Sequence, residues 1–319
     1  MIPPAGLLNI HKPAGVTSRQ VVDEVVRCLR TGKVGHAGTL DPLATGVLVV
    51  CVGWMTRLVP YVQQQHKEYR ARFVLGKTSD TDDITGAVVD QVVHQVPSRA
   101  DLEQRLPEFT GTILQRPPTY SAIKVAGKRA YQLARDGVAV APAARPVEVF
   151  ELSLTEYAFP EFELNMVCGS GTYVRSIGRD LGAALGCGAV MSELVRTRIG
   201  AFPLEQSLAF DSLSPETVTA GLLPARIAAA HLPVYHCTSE EVEHLQHGRK
   251  IPASEAAPPA QELIAMLTPA GELLAIGQHR AEQVCWHPLH VFPVAASVTE
   301  QPQGVELGQS AEQNVVQRS

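Results

Sequence analysis

The stretch Gly35-His36-Ala37-Gly38-Thr39-Leu40-Asp41-Pro42-Leu43-Ala44-Thr45-Gly46 runs directly into the apolar segment Val47–Val52. Its glycines and Pro42 make the first part a loop, and the unbroken apolar run makes the second a buried strand. Upstream, Leu7–His11 is a short strand ending at Lys12-Pro13. Thr17 and Ser18 then cap a helix that carries Val21, Val22, Val25, Val26 and Leu29 on one face and closes at Gly32. Downstream, Glu68–Leu75 alternates, with Tyr69, Ala71, Phe73 and Leu75 on one face, as a half-buried strand does. An acidic turn follows at Asp80–Gly86. Further strands are predicted at Ala87–Val93, Pro146–Leu154 and Phe162–Cys168, and helices at Asp101–Arg105, Gly127–Arg135 and Thr172–Leu185. There is no regular βαβ alternation, so the expected class is α+β, with a largely antiparallel mixed sheet flanked by helices.

The chain has 319 residues, of which 45% are hydrophobic, 18% charged and 5% aromatic. That length suits one large domain plus a smaller module. The longest apolar run, Gly46–Met55, is too short to cross a bilayer. The N-terminus, with Pro3 and Pro4 and no basic lead, does not read as a signal peptide, so the expected location is the cytoplasm. The cysteines at 28, 51, 168, 187, 237 and 285 form no CxxC pair. Buried reduced thiols are favoured over disulfides or zinc. His244 and His247 could share a helical face, but no ligand cluster accompanies them, and no metal site is expected.

The net charge of −5 conceals an asymmetry. Residues 1–200 carry 22 Lys+Arg against 19 Asp+Glu, and residues 201–319 carry 5 against 13. Gln115–Arg135 holds Arg116, Lys124, Lys128, Arg129 and Arg135 without a carboxylate, interleaved with Tyr120 and Tyr131. On pattern alone this is either a solvated helix face or a segment that grips an RNA backbone. Composition shifts after about residue 231. A short helix at Ser239–Gln246 and strands at Leu263–Leu267 and Leu273–Gly277 make residues 232–295 a small β-rich module. Residues 296–319 have no aromatic residue and five glutamines, and read as a disordered tail.

Chemical signatures are few. No Walker loop, strand-bound GxGxxG or GxSxG elbow is present. Asp41 lacks the second carboxylate that metal-dependent phosphotransfer wants. A lone aspartate in a glycine-rich loop remains, together with Gly171-Thr172-Tyr173-Val174-Arg175-Ser176.

Five blocks in order resemble the TruB family of tRNA pseudouridine synthases: Leu8–Ser18, Gly35–Leu48, Lys67–Gly76, Pro117–Arg135 and Cys168–Gly182. The resemblance implies a pseudouridine-synthase fold over residues 1–231 and isomerisation of uridine 55 in the tRNA T loop, without metal or organic cofactor. It makes Asp41 the nucleophile and Arg175 the partner that keeps it ionised. Tyr69 would stack on the target base and help remove the C5 proton, while Tyr173 and Leu194 would line the base pocket. His36 would enter the T loop as the base is extruded. Lys12 would join the substrate-binding set. Residues 115–137 correspond to an insertion that closes over the tRNA arm, with Lys124, Lys128 and Arg129 on phosphates. The C-terminal module stands where many members carry a PUA domain, a small β-barrel that touches tRNA. The tRNA T arm is the expected partner, with no membrane and no obligate protein partner. A non-catalytic tRNA-binding or folding chaperone on the same fold is the alternative. A pure binder, however, has no use for a paired aspartate and arginine.

Overall fold

The computed structural model describes residues 4–120, 124–125, 128–129, 142–253, 262–280 and 285–293. Strand β1 (Gly6–Lys12) leads into helix α1 (Ser18–Leu29). Thr17 caps this helix through a reciprocal bond with Gln20, and Val21, Val22, Val25 and Cys28 are its buried face. The helix does not run on to Gly32: Arg30 takes the left-handed conformation at φ 50°, and β2 (Val34–His36) begins soon after. Strand β3 (Thr45–Val52) is buried on both faces. Its Leu48, Val50 and Val52 pack with Val21 and Val25 of α1, whereas Val47, Val49 and Cys51 face a second cluster that reaches the C-terminal module. This two-sided burial is why the run is continuously apolar.

The chain continues through α2 (Val59–Gln64), β4 (Lys67–Leu75), a short ribbon of β5 (Lys77–Thr78) and β6 (Val89–Asp90), α3 (Arg99–Arg105) and β7 (Gly111–Gln115). Next come β8 (Lys124–Val125) paired with β9 (Lys128–Arg129), then β10 (Arg145–Ala158), β11 (Glu161–Cys168), α4 (Val174–Ala184) and β12 (Ala189–Ile199). β13 (Phe202–Pro203), β14 (Leu208–Ala209) and α5 (Pro215–Ala220) complete the larger unit. Its sheet has the order β14-β1-β3-β12-β4-β11-β10-β7, with β13 on β12 and β2 on β3. Only the β1–β14 and β3–β12 pairs are parallel, so the expected α+β class and mainly antiparallel sheet are what form.

Two elements differ from expectation. The strand expected at Ala87–Val93 shrinks to Val89–Asp90, because Val88, Val89 and Val92 are exposed and meet only the short β5. Lys128 and Arg129, expected to lie in a helix, instead form a strand pair with Lys124 and Val125, and the rest of Gly127–Arg135 lies outside the described residues. Among the strands not anticipated, β12 bears most on the site. β12 sits at the sheet centre between β3 and β4, but register shifts at Met191/Glu193 and Arg196/Arg198 break its two-residue alternation.

Beyond residue 231, β15 (Val234–His236), α6 (Ser239–Gln246), β16 (Ile251–Pro252), β17 (Leu263–Leu267), β18 (Leu273–Arg280) and β19 (Cys285–Val291) build a second sheet, ordered β15-β17-β18-β19-β16. It shares a core with the larger unit. Ala265, Leu273, Ile276 and Phe292 pack with Met55, Leu58 and Tyr61, and the Trp54 and Phe292 rings lie 5.1 Å apart. No helix among the described residues is long and apolar enough to cross a membrane.

Candidate active site

The loop between β2 and β3 is fixed by its main chain. Ala37 N–H donates to Val49 O (2.9 Å), Gly15 N–H to Pro42 O (2.8 Å) and Ala44 N–H to Asp41 O (3.1 Å). Ser18, placed at a helix start by sequence, turns out to anchor this loop: its Oγ accepts from Leu40 N–H at 2.9 Å and donates to Leu40 O at 3.1 Å. Gly46 adopts φ +103°, and a Cβ there would stand 2.2 Å from the Arg196 carbonyl oxygen, so only glycine fits against β12.

What remains free is the Asp41 carboxylate, whose side chain is 41% exposed. Arg175, in the first turn of α4 and 6% exposed, places Nη2 2.9 Å from Asp41 Oδ2. The same guanidinium donates to Thr81 O at 2.6 Å and Tyr120 O at 3.2 Å, and Nη1 lies 3.6 Å from Asp83 Oδ2. Asp83 is held in turn by Thr81 Oγ1 at 2.8 Å and the Thr85 N–H at 2.9 Å. The arginine is thus a buried hub between two carboxylates, one open and one closed, with each Nη also bonded to a carbonyl.

The apolar wall beside Asp41 comes from Leu40, Ala44, Val174 and Leu194, with Tyr69 and Leu43 packed against them. Tyr69 is on β4, opposite Arg196 of β12. Burial pushes its phenol pKa up and the Arg196 guanidinium opposes this, so the hydroxyl is neutral at pH 7. Tyr173 precedes α4, where Gln115 grips its backbone from both sides. Gln115 Oε1 accepts from Tyr173 N–H at 2.8 Å, and Nε2 donates to Tyr173 O at 3.1 Å. Arg145 lies 5.5 Å above the Tyr173 ring. His36 is half-buried on β2. Burial lowers its pKa, and its Nδ1 has no hydrogen-bond partner among the described residues.

Asp41, Arg175, Tyr69 and Leu194 are therefore gathered in one place, with Tyr173 at the start of the same helix. Lys12 is not on that surface. It is fully buried under the loop, and its ammonium donates to Pro13 O (2.9 Å), Val16 O (2.6 Å) and Pro42 O (3.4 Å). It braces the loop from beneath, so the expected substrate contact is corrected. Burial pulls its pKa down to about 8, against the raising effect of Asp41. The side chains of Lys124, Lys128 and Arg129 lie outside what the structure describes. Two residues were missed by sequence reasoning. Asp83 stood out only as part of an acidic turn. Arg196 lies on the unanticipated strand β12, where it donates to Val47 O at 2.7 Å and Gly38 O at 3.0 Å, spanning the Asp41 loop.

This architecture has close counterparts. A chain of an H/ACA RNP, solved bound to a substrate RNA containing 2′-deoxyuridine, superposes with a TM-score of 0.69 at 26% identity, covering 91% of this chain and 85% of that one. A chain of a Cbf5-Nop10-Gar1 complex gives 0.69 at 28% identity, covering 90% and 84%. The fold is that of the pseudouridine synthases. Residues 26–174 match the TruB family pseudouridylate synthase (N terminal domain), and residues 175–222 match the tRNA pseudouridylate synthase B C-terminal domain. The tRNA pseudouridine synthase B of Syntrophomonas wolfei is 39% identical over 91% of this chain and 99% of its own. That of Acaryochloris marina is 42% identical over 77% and 86%. The chain belongs to the TruB family of pseudouridine synthases.

Proposed function

We propose that this enzyme, a tRNA pseudouridine synthase by family, isomerises uridine 55 in the T loop, with Asp41 as nucleophile and the target uridine flipped out of its stack. The observation that carries this reading is the Asp41–Arg175 pair at 2.9 Å, one partner buried and the other open. A carboxylate held by a fixed guanidinium is aimed, while its second oxygen is left open beside the apolar residues Leu194 and Tyr69. The reaction breaks N1–C1′ and forms C5–C1′; one proton leaves C5 and one is taken up at N1. Substrate and product are isomers, so neither oxidant nor cofactor enters the balance. Tyr69 stacks on the extruded base. As a neutral phenol it takes the C5 proton only by passing on its own.

Base extrusion supports the role of His36, since the reacting atoms of a stacked T-loop uridine are out of reach. The insertion about 115–137 closes on the arm through Lys124, Lys128 and Arg129. The same reading places the enzyme with its tRNA in the cytoplasm, as a catalytic unit of residues 1–231 followed by a PUA-like module at 232–295. The test is incubation with a T-arm stem-loop carrying C5-tritiated uridine, reading tritium release and mapping pseudouridine by position. Modification confined to position 55 is expected. Modification elsewhere in the arm, or none, overturns the reading.

A further inference from the structure

Arg175 and Arg179 are four residues apart on α4 and so share a helix face, one turn apart. Both guanidiniums reach the same two loops. Arg175 donates to Thr81 O and Tyr120 O, which fix its aim at Asp41. One turn on, Arg179 Nη1 meets Asp82 Oδ2 at 2.8 Å, and its Nη2 donates to Arg116 O at 2.8 Å. Its Nε is held by Asp180 Oδ1 at 2.8 Å. The fully buried Ser176 adds a second bond to Arg116 O at 3.0 Å. The carbonyls that orient Arg175 thus belong to two loops, the acidic turn Asp80–Gly86 and the segment 116–120 at the root of the insertion. Arg179 ties those two loops to each other beside them.

We propose that Arg179 is a positioning residue for the reaction: by clamping the acidic turn through Asp82 and the insertion root through the Arg116 carbonyl, it holds Arg175 on Asp41. The proposal rests on the reading that Asp41 and Arg175 carry the chemistry. It deepens that reading by linking the insertion that grips RNA to the aim of the carboxylate. Neither Arg179 nor Asp82 need touch substrate for this, so their loss acts on the chemical step and leaves RNA binding alone.

The test uses the full chain, with Arg179→Gln, Asp82→Asn, the double variant and Arg179→Lys. It measures single-turnover rate at saturating T-arm RNA, RNA affinity and thermal melting. A loosened clamp misplaces reacting groups by a fraction of an ångström, so a slowing of about tenfold is expected for each single variant. Affinity should stay within about twofold of the parent, and the double variant should be no slower than the worse single one. Arg179→Lys, which keeps one arm of the clamp, should fall between parent and Arg179→Gln. A rate within twofold of the parent overturns the proposal. So does a double variant about a hundredfold slower, or a rate loss that tracks loss of folded protein. Asp41→Asn, run alongside, separates the two claims: retained turnover there removes the nucleophile, whereas a dead Asp41→Asn beside an unaffected Arg179→Gln removes only the clamp.

Discussion

Asp41 is open because its surroundings are not: Ser18, Lys12 and Arg196 consume the loop's carbonyls, and Arg175 takes one side of the carboxylate. An amide at this position keeps the shape and loses the nucleophile. Asp41→Asn should therefore abolish pseudouridine formation while RNA affinity stays within about tenfold, or 1.4 kcal/mol. Turnover that persists, with deamidation excluded by mass spectrometry, would remove Asp41 as the nucleophile. Two buried lysines give a second residue-scale test. Burial pulls Lys12 and Lys67 down to about 8, whereas an unfolded lysine keeps its proton to about 10.4. Between those values the unfolded chain binds more protons, so their contribution to stability rises with pH, and below about pH 8 the cost of burying the charge is felt in full. Against Lys67→Met in urea unfolding, the parent should gain up to about 1.4 kcal/mol per pH unit between pH 8 and 10. A flat difference would mean the ammonium is not desolvated. Asp41 was legible as a lone carboxylate in a loop, but the burial of Lys12 was not, because a lysine beside a proline looks the same in sequence whether it meets solvent or three carbonyls.

The elements that sequence placed well are those whose pattern stays in step with their burial. Strand β4 alternates as the half-buried strand it is, and α1 keeps its valines on one face. Strand β12 carries Leu194 and Arg196 into the site, yet two bulges put its side chains out of step, so its period is lost. The basic segment is a different case, since its cations fit either a solvated surface or a phosphate track. Gln115 and the Arg116 carbonyl fasten its root to α4, which gives the segment a fixed base beside Tyr173. Neutralising Lys124, Lys128 and Arg129 together should flatten the dependence of log affinity on log salt by about 0.7–0.9 per lost phosphate contact, leaving the rate at saturation intact. A parent-like slope in a folded variant would return these residues to the solvated reading.

At the scale of the whole molecule, the composition shift near residue 231 marks where a second sheet begins but not how firmly it is attached. The acidic balance of the C-terminal part carries no sign of the join, in which the apolar faces of β3, α2 and β18 meet in one cluster. Such a join is invisible in sequence because Trp54 and Phe292 lie far apart in the chain and each alone reads as an ordinary core residue. Phe292 is 2% exposed and packs at 5.1 Å from Trp54, so Phe292→Ala should cost about 3 kcal/mol of stability, read from urea unfolding. Truncation after residue 231 is the stronger case. It bares the side of Met55, Leu58 and Tyr61 that Ala265, Ile276 and Phe292 cover, which should lower the melting temperature and promote association. Yet Asp41, Arg175, Tyr69 and Leu194 all lie before the cut, on or beside a sheet that keeps all its strands. At a temperature where the shortened chain is folded, single-turnover rate at saturating RNA should stay within about tenfold of the parent, with affinity weakened. If the folded truncated chain has lost turnover by orders of magnitude at saturation, the second sheet takes part in the chemical step and the catalytic unit does not end near residue 231.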